Sequence, residues 1–213
     1  QGDPAPGDTV DILSAAGEFL ARGAYSPGAR IAARVWSFAP NETVDADLFR
    51  SRIERALRAR EALGQELPAG AARRLVHAEA DGLPGVIVDR YAEVAVCQFL
   101  TAGAERWREA IVAALTDLLP LTGVYERSDA ESRAREGLEP RTGLLAGTEP
   151  PALVEIEENG CRFLVDVRRG HKTGFYLDQR ENRRLVADAA CGAELLNAFS
   201  YSGAFATAAL RAG

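Results

Sequence analysis

Two stretches of this sequence hold residues that could do chemistry. The first runs Arg168-Arg169-Gly170-His171-Lys172-Thr173-Gly174-Phe175-Tyr176-Leu177-Asp178-Gln179-Arg180 and continues through Glu181 and Asn182 to Arg183. Asp178 can cap a helix running to Ala189, with Gln179 to Arg184 in its opening turns. Packing Arg168, Arg169, Lys172, Arg180 and Arg183 around that helix start opposes the positive end of its dipole, which suggests an anionic partner such as phosphate or carboxylate. A solvated basic loop is the alternative. His171 reads as part of the turn and not as a general base.

The second stretch is Glu194-Leu195-Leu196-Asn197-Ala198-Phe199-Ser200-Tyr201-Ser202-Gly203-Ala204-Phe205-Ala206-Thr207-Ala208-Ala209-Leu210. It reads as a strand at 195–197 that breaks into a small-residue turn and restarts as a helix near Gly203. Such a corner aims backbone N–H groups beyond the strand's carboxyl end, where open α/β sheets bind cofactors. Asn197, Phe199 and Tyr201 add polar and aromatic walls. Only one glycine is present, so the G-x-G-x-x-G fingerprint is missing and a nicotinamide cofactor is disfavoured. A plain strand–helix corner, with Ser and Gly there for turn reasons, is the alternative.

The elements that must position these stretches are legible in outline. Residues 9–13, 18–22 and 30–36 read as three short strands of a small sheet or barrel, punctuated by Gly23 and Ser26-Pro27-Gly28. Asp45 opens a helix with Phe49, Ile53 and Leu57 on one face and Arg50, Arg52, Arg55 and Arg58 on solvated ones; Gly64 is its expected stop. Strands follow at 75–79, 86–89 and 94–99, with His77 expected to pack within the first. A helix carrying Trp107, Ile111 and Leu115 ends before Pro120, and a strand covers 123–126. This mixture indicates a second, α+β domain. Residues 128–150 read as a connecting stretch. Asn159-Gly160 then joins two alternating runs, a strong two-residue hairpin signal.

Composition narrows the class further. With 213 residues and 47% hydrophobic content, the chain can bury a real core. No apolar run is long enough to span a membrane, and no signal peptide is visible at the start. Cys97, Cys161 and Cys191 are too scattered for a disulfide framework or zinc cluster, which fits reduced thiols in a cytoplasmic protein. The net charge of −6 argues against coating nucleic acid by bulk charge but leaves room for a local basic face. Lys172 is the only lysine and methionine is absent, including at position 1.

On the paired motifs 171–180 and 196–203, the sequence resembles the bacterial large-subunit (23S) ribosomal RNA cytosine-5 methyltransferases. Residues 7–11 through 20–27 resemble the latter half of that family's N-terminal PUA domain. Asp81-Gly82-Leu83-Pro84-Gly85-Val86-Ile87-Val88-Asp89-Arg90-Tyr91 resembles its central domain. The resemblance implies an α/β and α+β multidomain chain: part of a PUA β-barrel over 1–38, a central α+β domain over 39–149, and a β-hairpin with the start of a Rossmann-like methyltransferase domain over 150–213.

It further implies S-adenosylmethionine as cofactor, large-subunit ribosomal RNA as partner and a homodimer as a candidate assembly. Tyr176, Asp178, Gln179, Arg180, Asn197, Phe199, Ser200, Tyr201, Ser202 and Gly203 are the expected cofactor pocket. Arg168, Arg169 and Lys172 are candidates for RNA phosphate. The family's catalytic cysteines would lie beyond Gly213, so no catalytic residue and no metal ligand is assigned here, and the chain is expected to be an internal fragment. Ala204 stands where a second glycine is usual in the family. A guanine methyltransferase of the same architecture and a non-catalytic RNA-binding module are the other functions open to it.

Overall fold

The computed structural model describes residues 2–62 and 70–213; the helix stop expected at Gly64 lies outside them. Near the N-terminus, β1 (Thr9–Leu13), β2 (Phe19–Tyr25) and β3 (Ala33–Ser37) form an antiparallel sheet in that order. β3 starts later than its composition suggests, because Ser26 N–H reaches the Ala32 carbonyl at 2.8 Å and bends the preceding residues into a turn.

Helix α1 (Ala46–Ala62) is capped as expected, with the Leu48 N–H donating to Asp45 Oδ1 at 3.0 Å. Phe49, Ile53 and Leu57 are buried. Arg52, expected on a solvated face, is buried as well. It donates to the Gly82 carbonyl at 2.6 Å and pairs with Glu42 at 3.2 Å, which satisfies a guanidinium that packing has taken from water.

The largest sheet has the order β4 (Ala72–His77), β5 (Val86–Tyr91), β6 (Val94–Phe99), β7 (Gly123–Ser128), β8 (Arg141–Gly147). Only β6 and β7 run parallel, joined through α2 (Ala102–Arg106) and α3 (Arg108–Leu118). Two expectations fail here. Residues 128–150 are no mere connector: a 3-10 turn at Glu131–Glu136 leads into β8, which pairs with β7 along its length. Buried Arg133 holds that turn through Glu105 at 2.8 Å and the Glu139 carbonyl at 2.9 Å. Charge and glycine disguise an edge strand, whose ladder needs a backbone partner more than apolar side chains. His77 closes β4 exposed to solvent and is not packed.

One face of this sheet packs on α1 and α3, with Phe49 wedged edge-on against Trp36 at 5.0 Å and beside Trp107 at 4.9 Å. Gly103 in α2 allows the three-stranded sheet to join this core. A Cβ there would sit 2.3 Å from Ala24 Cβ and 2.8 Å from the Trp36 ring, a clash that backbone movement would have to relieve. The opposite face, through Ala72, Tyr91, Val94 and Val96, meets β9 (Val154–Glu158) and β10 (Cys161–Val165). Asn159 and Gly160 take φ of 51° and 74°, the paired left-handed residues of a type I′ hairpin.

After the hairpin the chain forms α4 (Arg180–Ala190) and α5 (Ala204–Ala212). Asp178 does not cap α4. It lies in a 3-10 turn, Leu177–Gln179, that leaves Gln179 at the cap position, where its side chain caps no backbone N–H of the helix. Residues 195–197 form no strand. No described strand lies beside them to complete a ladder, and Leu196 is 91% exposed. Among the described residues no helix is long and apolar enough to cross a membrane.

Candidate functional site

The loop after β10 is folded by its own short-range bonds. Asp166 Oδ1 accepts the N–H groups of Arg168 and Arg169, each at 2.9 Å, and Gly170 N–H returns to the Asp166 carbonyl at 2.9 Å. A Cβ on Gly170 would lie 2.5 Å from that carbonyl oxygen, so the turn closes only around glycine. Buried Thr173 then fastens the loop to β5. Its hydroxyl donates to Asp89 Oδ2 at 2.6 Å and accepts from the Tyr91 hydroxyl at 2.8 Å. Tyr91 in turn accepts the Phe175 N–H at 3.1 Å. Asp89 is fully buried and held by a forked pair from Arg74 at 2.8 and 3.0 Å. Burial first, and the Asp89 charge second, push the Tyr91 phenol well above the ordinary tyrosine range.

With Thr173 fixed, its neighbours face a cavity of about 470 Å³ between this loop and residues 199–205. The His171 ring stacks on Tyr201 at 4.6 Å, and its Nδ1 lies 3.1 Å from the Tyr176 hydroxyl. Tyr201 Oη accepts the His171 N–H and donates to the Gly174 carbonyl, both at 3.0 Å, closing the two segments on each other. Lys172 Nζ lies 4.6 Å from the Tyr176 ring centre and 3.8 Å from Asp178. Partial burial works to raise the Asp178 carboxyl, but the Gln179 amide and Lys172 ammonium outweigh it and hold it below the ordinary carboxylate range. Lys172, Phe199 and Tyr201 have φ of 56°, 53° and 48°. Such left-handed side-chain-bearing residues cost about 1–3 kcal/mol each and cluster at ligand sites.

Of the residues singled out in the sequence, Tyr176, Asp178, Gln179, Phe199, Ser200, Tyr201 and Ser202 line this cavity, and Lys172 joins them. Arg180, Asn197 and Gly203 do not. Arg180 turns away to Glu158 at 3.3 Å and to the Ala72 carbonyl. Gly203 precedes α5 with φ 70°, and Asn197 is half-buried. Arg168 bonds the Pro150 carbonyl and pairs with Glu149 at 3.5 Å, while Arg169 is exposed. Much of the anion called for by the crowded cations is therefore internal. Buried Glu158 takes Arg183 as well as Arg180. His171, Phe175, Arg183, Ala204 and Phe205 also line the cavity. All five stand inside the two stretches singled out in the sequence, but nothing in the sequence alone showed that their side chains would face one space.

Comparison with known proteins places this geometry. Residues 138–213 match a family described as S-adenosylmethionine-dependent methyltransferase, and residues 1–38 match the PUA-like domain. A Shewanella denitrificans protein named ribosomal RNA large subunit methyltransferase I is 50% identical over 212 residues, covering 100% of this chain and 53% of its own length. Its Aeromonas salmonicida namesake is 49% identical over 213 residues, covering 100% and 54%. Over its whole length the chain is similar to the ribosomal RNA large subunit methyltransferase I proteins.

It spans about half the length of the curated relatives it matches. Among solved structures, a candidate SAM-dependent methyltransferase from Streptococcus mutans superposes with a TM-score of 0.82 at 26% identity, covering 100% of this chain and 54% of that one. A candidate methyltransferase complexed with SAH gives 0.83 at 26% identity, covering 98% and 53%. In family terms the three-stranded sheet is the PUA-like part. The methyltransferase match takes in β8, the β9–β10 hairpin, α4, α5 and every residue lining the cavity.

Proposed function

We propose that the whole protein transfers a methyl group from S-adenosylmethionine to carbon 5 of a cytosine in 23S ribosomal RNA, and that this chain supplies one wall of its cofactor pocket. The observation that carries the reading is the 470 Å³ cavity, within the usual size of small-molecule sites, built where two motifs of a methyltransferase family meet. Its lining fits the cofactor. Tyr176, Phe199 and Tyr201 offer ring faces to an adenine, and Asp178 offers a carboxylate to ribose hydroxyls or a cationic sulfonium. The first N–H groups of α5, at Ala204 and Phe205, are free of intrahelical partners, and both residues line the same space.

S-adenosylmethionine supplies the methyl carbon. The chain's own residues bind and orient: Thr173 fixes the loop, and the Tyr201 hydroxyl ties it to the α5 turn. Cytosine carbon 5 becomes nucleophilic once a thiolate adds at carbon 6. Cys97 and Cys161 are buried, and none of the three cysteines lines the cavity, so that role is assigned outside residues 1–213. The target base would leave its stack to reach the site. Exposed Leu195 and Leu196 suit the first strand of a Rossmann-like sheet completed by the part of the relatives' length not covered here. Residues 39–149 would then be the central domain and 150–213 the start of the catalytic one, with 1–38 contributing to a PUA barrel.

The test is methyl transfer by the whole protein to large-subunit ribosomal RNA, followed by mass spectrometry of the released nucleosides. 5-Methylcytidine is expected. A methylated guanosine would replace the cytosine assignment, and RNA binding without transfer would leave a binding module.

A further inference from the structure

A second cleft, about 250 Å³, lies between β4 and the start of α4, and Asp178 lines both it and the first cavity. Its walls include Arg60, Arg73, Arg74, His77 and Arg180. Three of these cations are answered within the fold. Arg60 pairs with Asp81 at 2.8 Å, Arg74 with Asp89 at 2.8 Å and Arg180 with Glu158 at 3.3 Å. Arg73 is different. Its cross-strand neighbour is Arg90, whose Nε is spent on the Ala92 carbonyl. Like charges directly opposite in a sheet are destabilising. Among the described residues no carboxylate bonds either of the two. Burial, then the charges of Arg90, Arg60 and Arg180, push the Arg73 guanidinium down from its ordinary value, with only Glu61 opposing them.

We propose that this cleft, with Arg73 in its wall, holds a phosphodiester of the RNA whose base approaches the neighbouring cofactor cavity. The inference rests on the functional reading above for the identity of the partner, and on the cleft's own charge for the presence of an anion. A half-buried guanidinium facing another arginine gains a hydrogen-bonded counter-charge only from outside the described fold, and a phosphate oxygen suits its fork. The shared Asp178 wall puts a bound phosphate beside the cofactor cavity, where the nucleoside attached to it would lie. The phosphate contact thereby moves from the 168–172 turn, where Glu149 and Asp178 already engage Arg168 and Lys172.

The experiment is RNA binding by the whole protein across a salt series, comparing the parent with Arg73→Gln and Arg73→Lys. Arg73→Gln is expected to weaken binding and to lower the slope of log affinity against log salt by roughly 0.7–0.9, the value of one phosphate contact. Arg73→Lys should keep the parental slope, and both variants should bind S-adenosylmethionine as the parent does. An Arg73→Gln protein with the parental slope would overturn the proposal. Inorganic pyrophosphate binding that disappears in that variant while RNA binding is unchanged would also overturn it, in favour of a free anion. Should the glutamine variant fail to fold, RNA must protect Arg73 of the parent from phenylglyoxal, and modification at the unprotected rate would overturn the proposal equally. A parent that binds no S-adenosylmethionine, yet loses salt slope on Arg73→Gln, would sink the functional reading and keep the cleft.

Discussion

Thr173 carries more of the site than its size suggests, because its one hydroxyl serves a buried carboxylate and a buried phenol together. Thr173→Val keeps the shape and leaves both partners short of a bond. Leaving buried polar groups unpaired costs about 1–3 kcal/mol each, so urea denaturation should show a loss on that scale. Retention of parental stability would mean that the loop is anchored elsewhere. The same denaturation series has a pH dependence set by Tyr91. Its phenol is raised in the folded state, so folding favours the protonated form. That stability is fully present below the free tyrosine value of about 10 and is lost as pH climbs above it towards the folded value. Little of this network was legible in the sequence. Asp89 and Tyr91 lie more than eighty positions from Thr173, and only the antiparallel pairing of β4 and β5 brings Arg74 to Asp89.

At the scale of elements, periodicity and turn chemistry located most of the fold. Asp45 with Phe49, Ile53 and Leu57 marked α1, and Asn159-Gly160 marked the hairpin. β8 escaped because an edge strand with Gly143 and Gly147 has no alternating apolar face to announce it. The strand expected at 195–197 is absent for another reason: the described residues provide no ladder for it. Those amides should therefore exchange with solvent as unprotected ones do, α5 should be weakly protected, and β5 and β6 should be the slowest in the chain. Protection of Leu195 and Leu196 at the level of β5 in a monomeric sample of these residues would show that the segment is paired after all.

Across the whole molecule, the two motifs that stood out in the sequence do meet, and they meet around one cavity. The spacing between them carried no information on how. The hairpin, packed on the large sheet through Tyr91, Val94 and Val96, holds the first motif, and the Tyr201 hydroxyl draws the second onto it. Charge crowding pointed to an anion without showing that Glu158 and Glu149 would supply much of it, because ion pairs form across the fold and not along the chain. The central claim is that this cavity binds S-adenosylmethionine. Calorimetric titration of S-adenosylmethionine into the whole protein tests it most directly, comparing the parent with a variant carrying Tyr176→Ala and Phe199→Ala. Base–aromatic stacking contributes about 1–3 kcal/mol per ring, so the parent should bind and the double variant should bind about thirtyfold more weakly or worse. Equal affinity in the two folded proteins would contradict the account and place the cofactor elsewhere.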